Sequence, residues 1–197
     1  MSSLVLAIVG TVALAVCVIC LIALHLVPSG LNPVRDPVSL YGTTRYTILY
    51  RVQVVASGIG ALCLLLALTE QRAVLSVVGL VMLGCYGVAR ILIAAFMMDT
   101  HSKRTRTGSM HIILAAVAFT SIAIAVGMLT ASLLSSALWN ELGVFLTVAA
   151  DLTIISAILF IVVSLIPALR RFIGLVERGI YLGALCWLGL VIIPLIR

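Results

Sequence analysis

Ionisable side chains are scarce in this chain, and the ones set within its apolar stretches are the ones that could do chemistry. Arg90 interrupts a hydrophobic run nine residues before Asp99, and Asp99 precedes His111 by twelve. A carboxylate and an imidazole at one depth make an acid–base pair, tunable by burial and neighbouring charge. Arg35, Arg51, Arg90 and Arg178 are the groups that would clamp a phosphate or carboxylate head. The threonines and glycine between Asp99 and His111 precede a helix N-terminus, where backbone N–H groups receive anions. His25 and His111 with Asp99 or Asp36 supply the N and O ligands zinc prefers, although their spacing matches no zinc motif. The same two histidines would be the axial pair of a haem.

Each residue also has a plainer account. Arg51 and Arg178 can reach the headgroups on their long stems, and His25 and His111 can cap helix ends. Asp151 stands in the other half of the protein, one turn after Thr147, and is expected to bond to it or to a neighbouring helix. That makes Asp151 structural and dispensable. Arg90 differs in depth: nine residues of helix at 1.5 Å each put it about 13 Å below a helix end at Asp99. Tyr86 lies one turn away on its face. An ionisable group inside a span costs about 3 kcal/mol or more, so it usually faces a partner or a cavity.

The elements that must position these residues are long helices. Hydrophobic residues make up 64% of the chain and charged ones 9%, against about 25% in ordinary domains; the mean hydropathy is +1.36. Apolar runs of roughly 20 residues span hydrocarbon as helices. Barrel strands would alternate over about 10 residues, and nothing here alternates. The spacing predicts one all-α membrane domain of six spans, at about 4–27, 47–69, 73–98, 111–134, 143–169 and 177–196. Met1-Ser2-Ser3 carries no base before the first run, so that run is expected to be a retained helix.

The net charge of +6 lies in the connections, which argues for lipid phosphates as partners and against nucleic acid. Arg35, Arg45, Arg51, Lys103, Arg104, Arg106, Arg170, Arg171 and Arg178 fall on one side, and only Arg72 and Arg197 on the other. The positive-inside rule then puts both termini outside and the three basic connections in the cytoplasm. Cys17, Cys20, Cys63, Cys85 and Cys186 all lie in apolar runs and read as packing residues. Trp139 reads as an interfacial aromatic. Gly179 and Gly183, and the stripe Ala116, Thr120, Ala123 and Gly127, mark faces where helices touch.

The connections carry a pattern of their own: His25-Leu26-Val27-Pro28, Asn32-Pro33-Val34-Arg35-Asp36 and Val38-Ser39-Leu40-Tyr41, then Phe96, Asp99, Thr105, Gly108, His111 and Phe119. Over most of its length the chain resembles the uncharacterised membrane family catalogued as domain of unknown function 998. Where that pattern has Phe-Pro-x-Asp, this chain has Phe96-Met97-Met98-Asp99, which leaves the end of the third helix less sharply defined. The resemblance implies six membrane helices and supplies no activity.

Three function classes follow. The first is a cytoplasmic-face site for an anionic lipid, binding or modifying it, with Asp99 and His111 as the acid–base pair. The second is an accessory or assembly subunit that meets a membrane-protein partner through its helix faces. The third is a metal or haem protein using the histidines. No motif names a reaction or a cofactor.

Overall fold

The computed structural model describes residues 2–71, 75–100 and 104–196. Its long elements are α1 (Ser3–Leu26), α2 (Thr47–Thr69), α3 (Val77–Ile93), α4 (Arg106–Leu133), α6 (Gly143–Leu165) and α7 (Ile173–Ile196). A short α5 (Ala137–Asn140) joins α4 to α6, and 3-10 turns occupy Val38–Thr43 and Pro167–Phe172. There is no strand among the described residues. Hydroxyl caps start three of the helices: Ser2, Ser76 and Thr105 accept the N–H groups of Val5, Gly79 and Gly108. Five helices are long and apolar enough to cross a bilayer. By that length and composition the chain is a multi-pass helical membrane protein.

The helices lie close to their expected places, with one informative exception. The third was expected over 73–98; residues 73 and 74 lie outside the described residues, and the helix ends at Ile93. Ala94, Ala95 and Phe96 donate to the carbonyls three residues back, a tightening into 3-10 turns that ends the α-helix. At 17 residues α3 is about 25 Å long, near the lower limit for a span. Arg90 therefore sits in the last turn of α3, about 5 Å from its end, where a helix reaching Asp99 would have put that end about 13 Å away.

The helices close a ring in chain order: α1 on α2, α2 on α3, α3 on α4, α4 on α6, α6 on α7, and α7 back on α1 and α2. Small residues set the closest approaches. A Cβ on Gly183 would press on Thr153 and on the Ala149 carbonyl, so the Gly179/Gly183 motif packs α7 against α6. One on Gly58 would meet the Gly87 carbonyl at 2.6 Å, which holds α2 against α3. The stripe on α4 behaves differently. Gly127 borders Ile154, but Ala116 and Thr120 remain exposed along the seam with α6. Trp139, in the connection between α4 and α6, is 1% exposed and donates to the Val191 carbonyl at 3.0 Å, so it packs into the end of the bundle. Every cysteine is free, with Cys17 and Cys20 buried.

Candidate functional site

The connections α1–α2, α3–α4 and α6–α7 meet at one end of the ring, and the first of them forms a roof. Gly30, at φ 75°, turns the chain after α1. Asn32 Oδ1 then accepts the Val34 N–H at 2.9 Å, and Asp36 Oδ2 accepts the Asn32 N–H at 2.7 Å, closing a self-bonded turn. That turn aims the Pro33 and Asp36 carbonyls at Arg178, whose Nη1 donates to them at 2.7 and 2.9 Å and to the Gly174 carbonyl at 2.9 Å. A side chain on Gly174 would strike both loop carbonyls. One turn on, Glu177 Oε2 accepts the Val38 N–H at 2.7 Å. The roof is thus pinned to the first turns of α7.

Beneath it lies Arg90, 2% exposed. Its Nε donates to Ser57 Oγ at 2.8 Å, Nη1 to Tyr181 Oη at 2.8 Å and Nη2 to Gln53 Oε1 at 3.2 Å. The guanidinium also sits 4.9 Å from the centroid of the Tyr181 ring. Gln53 in turn donates to Cys17 Sγ at 3.4 Å, so α1, α2, α3 and α7 all converge on one cation. All these partners are neutral. A guanidinium has five N–H groups, and these bonds use one on each nitrogen, leaving one each on Nη1 and Nη2.

A cavity of about 260 Å³ opens beside Arg90, lined also by Tyr50, His111, Glu177 and Tyr181 and walled by Phe119 and Phe160. His111 is 3% exposed, and its Nδ1 lies 2.8 Å from the Phe96 carbonyl. A carbonyl can only accept, so the proton is on Nδ1 and the Nε2 lone pair is left over. Among the described residues, no side chain or backbone group bonds to His111 Nε2, Glu177 Oε1 or Tyr50 Oη. Four buried polar side chains thus turn spare hydrogen-bonding capacity toward one space in an otherwise apolar protein. The chain matches the family described as protein of unknown function, DUF998, over residues 11–193.

It belongs to that family.

No curated protein and no solved structure matches it. In this DUF998 protein the loop pattern has a geometric meaning. Asp99 is a capping group: Oδ1 accepts the Thr105 hydroxyl at 2.6 Å and Oδ2 the Thr105 N–H at 3.0 Å. Those bonds, helped by Arg104, hold its carboxyl below the ordinary range. Gly108 lacks a Cβ where one would strike the Asp99 carboxylate, and His111 follows one turn later to hold the Phe96 carbonyl. Asp99-Thr105-Gly108-His111 therefore fastens the end of α3 to the start of α4. Met97 and Met98 accept weak hydroxyl bonds from Thr47 at the start of α2 and from Ser39 of the roof.

Of the residues singled out from sequence, the structure brings Arg90 and His111 into one cavity and leaves the others elsewhere. Asp99 is partly exposed and busy with Thr105, so it does not face His111 across a site as an acid–base partner. Arg51 points outward from α2 and Arg35 is exposed on the roof; Arg178 gives Nη1 to backbone carbonyls and Nε to His25, and its buried Nη2 has no partner among the described residues. His25 Nδ1 lies 2.7 Å from the Leu21 carbonyl, and Nε2 accepts from Arg178 Nε at 2.7 Å. Both its nitrogens are engaged within the protein. His25, His111, Asp99 and Asp36 do not gather, and the described residues form no group of three metal-ligating side chains. Asp151 faces outward from α6, and Thr147, the partner expected for it, donates to the Gly143 carbonyl. Arg72, Lys103 and Arg197 lie outside the described residues. Sequence reasoning missed Glu177 and Tyr50. Glu177 precedes Tyr181 by four residues and so shares its face, a signal available in the sequence.

Proposed function

We propose that this DUF998 protein crosses the cell membrane six times and holds the polar head of a membrane amphiphile in the cavity under its basic end. The observation that carries this is the unspent hydrogen-bonding capacity of Arg90, His111, Glu177 and Tyr50 around one buried space. These groups border the cavity with bonding capacity to spare, and a head with anionic and hydroxyl oxygens can bond to all four together. Arg90 receives the anionic oxygen, and Glu177 and His111 Nε2 accept its hydroxyl protons. The same two groups would serve acid–base chemistry on that head; binding is the reading favoured. The sixth span is α3, and the basic residues argue for both termini outside.

Native mass spectrometry of gently extracted protein tests the site. Wild type should carry an anionic lipid that Arg90→Gln loses by at least about thirtyfold, the effect of truncating a buried charge-assisted contact. Equal retention by the two would overturn the reading. Orientation is tested separately, with single cysteines in a variant lacking the native five. Cysteines at Ser29 and at the exposed Thr107 should label from the cytoplasm, and one at Asn140 from outside; labelling of Asn140 from the cytoplasm alone would invert the arrangement.

A second reading, assembly with another membrane protein, is favoured by Asp151, a carboxylate on the outward face of α6. Such a group is costly against lipid and is relieved by a partner helix that carries a cation. Loss of co-purifying polypeptides on Asp151→Asn would support it.

A further inference from the structure

The head cavity is not closed on all sides. Ala116, Phe119, Phe160 and Ser164 line it, and the same four residues line a second, wholly lateral space of about 440 Å³ between α4 and α6. The two spaces therefore adjoin across a shared wall, at the Phe119–Phe160 pair, whose rings meet edge to face at 5.1 Å. From there the crevice follows the small residues of α4, with Thr120 and Ala123 opposite Ala157 of α6. It narrows where a Cβ on Gly127 would come within 3.4 Å of Ile154. From Ser164 to Ile154 it runs about 15 Å at helical rise, about half of a bilayer's hydrocarbon thickness.

We propose that this crevice holds a hydrocarbon chain of the molecule whose head lies against Arg90, so that the ligand enters sideways from one leaflet. The proposal rests on reading the cavity as a head site. Continuity is what selects the occupant: a groove opening from a polar, under-bonded cavity and running along the membrane normal for one leaflet's depth has the dimensions of a lipid tail. A partner helix, about 10 Å across, would need far more than the gap left by alanines and a threonine. The chemical class is then an amphiphile with an anionic, hydroxyl-bearing head and one chain in the α4–α6 seam. Phe119 and Phe160 stand where head and tail join.

The probe is a chain-length series of lysophosphatidylglycerols added to the delipidated full chain in nanodiscs of a zwitterionic lipid, with binding read by native mass spectrometry. Thr120→Phe fills the crevice from an exposed position, and Ala157→Phe fills it from the facing helix; a thermal melt checks that each still folds. Both should weaken the longest chains by about tenfold relative to the shortest. Arg90→Gln should weaken every length alike. Chain-length profiles unchanged in both crevice variants, with Arg90→Gln still impaired, would overturn the tail site and leave the head site standing. Wild-type binding that Arg90→Gln does not reduce would overturn the head site itself.

Discussion

The two ends of the bundle treat buried polar groups in opposite ways. At the closed end three buried or half-buried donors of the described residues each have one acceptor: Trp139 meets the Val191 carbonyl, Trp187 meets Thr130 Oγ1 at 2.8 Å, and the Ser76 N–H meets Ser132 Oγ at 3.2 Å. At the basic end the groups are at least as polar, yet several keep a lone pair or an N–H in reserve. Inside a membrane there is little water to fill such a reserve, so the difference separates polar groups that hold helices together from those placed to meet a ligand. Burial alone does not separate them, since Trp187 and Arg90 are equally hidden.

The contrast can be broken by substitution. His111→Ala should do the greatest damage of the replacements considered at the two ends, because His111 serves in both ways. Losing the bond to Phe96 should cost about 1–3 kcal/mol in a denaturant or thermal unfolding assay, and lipid retention should fall with it. Trp187→Phe, at the closed end, should lower stability by about 1 kcal/mol and leave the bound lipid unchanged; a loss of lipid would show that the two ends are not independent.

Asp99 sharpens the comparison by pH. Its carboxyl is lower in the folded protein than in the unfolded chain, so its contribution is present above the ordinary carboxylate range and is lost as pH falls through the depressed value. Proteolysis or hydrogen exchange at the α3–α4 connection should increase on acidification in wild type, and Asp99→Asn should abolish that dependence. A response to acid that persists in Asp99→Asn would assign it elsewhere. The smallest effect is expected at Asp151, where Asp151→Asn should change the isolated protein's stability by no more than about 0.5 kcal/mol.

Much of the frame was legible in the sequence. Apolar runs located the long helices, and depth in an apolar stretch singled out Arg90. The misjudgements were local. Asp99 looked like the acid–base partner of His111 because the two flank one connection at one depth, but Thr105 and Gly108 between them are the parts of a helix cap. Sequence reasoning passes over Glu177 because the last span is expected to begin there. The helix begins at Ile173, and a roof bonded from 139 residues upstream covers the carboxylate. A pairing at that separation leaves no trace in local periodicity. His25 looked available because its partner, Arg178, is equally remote.

The bond from Arg90 to Tyr181 also sets an order of events during synthesis. The two residues are 91 positions apart, so α3 leaves the ribosome well before α7 exists. In that interval the insertion machinery receives a short helix with an arginine whose only finished partners, Gln53 and Ser57, belong to α2. Such a segment should linger at the membrane surface, its guanidinium toward water, until the last helix arrives to draw it in. Stopping translation before α7 should therefore leave a newly made α3 open to protease or to reagents added from the cytoplasm, and release of the full chain should close it.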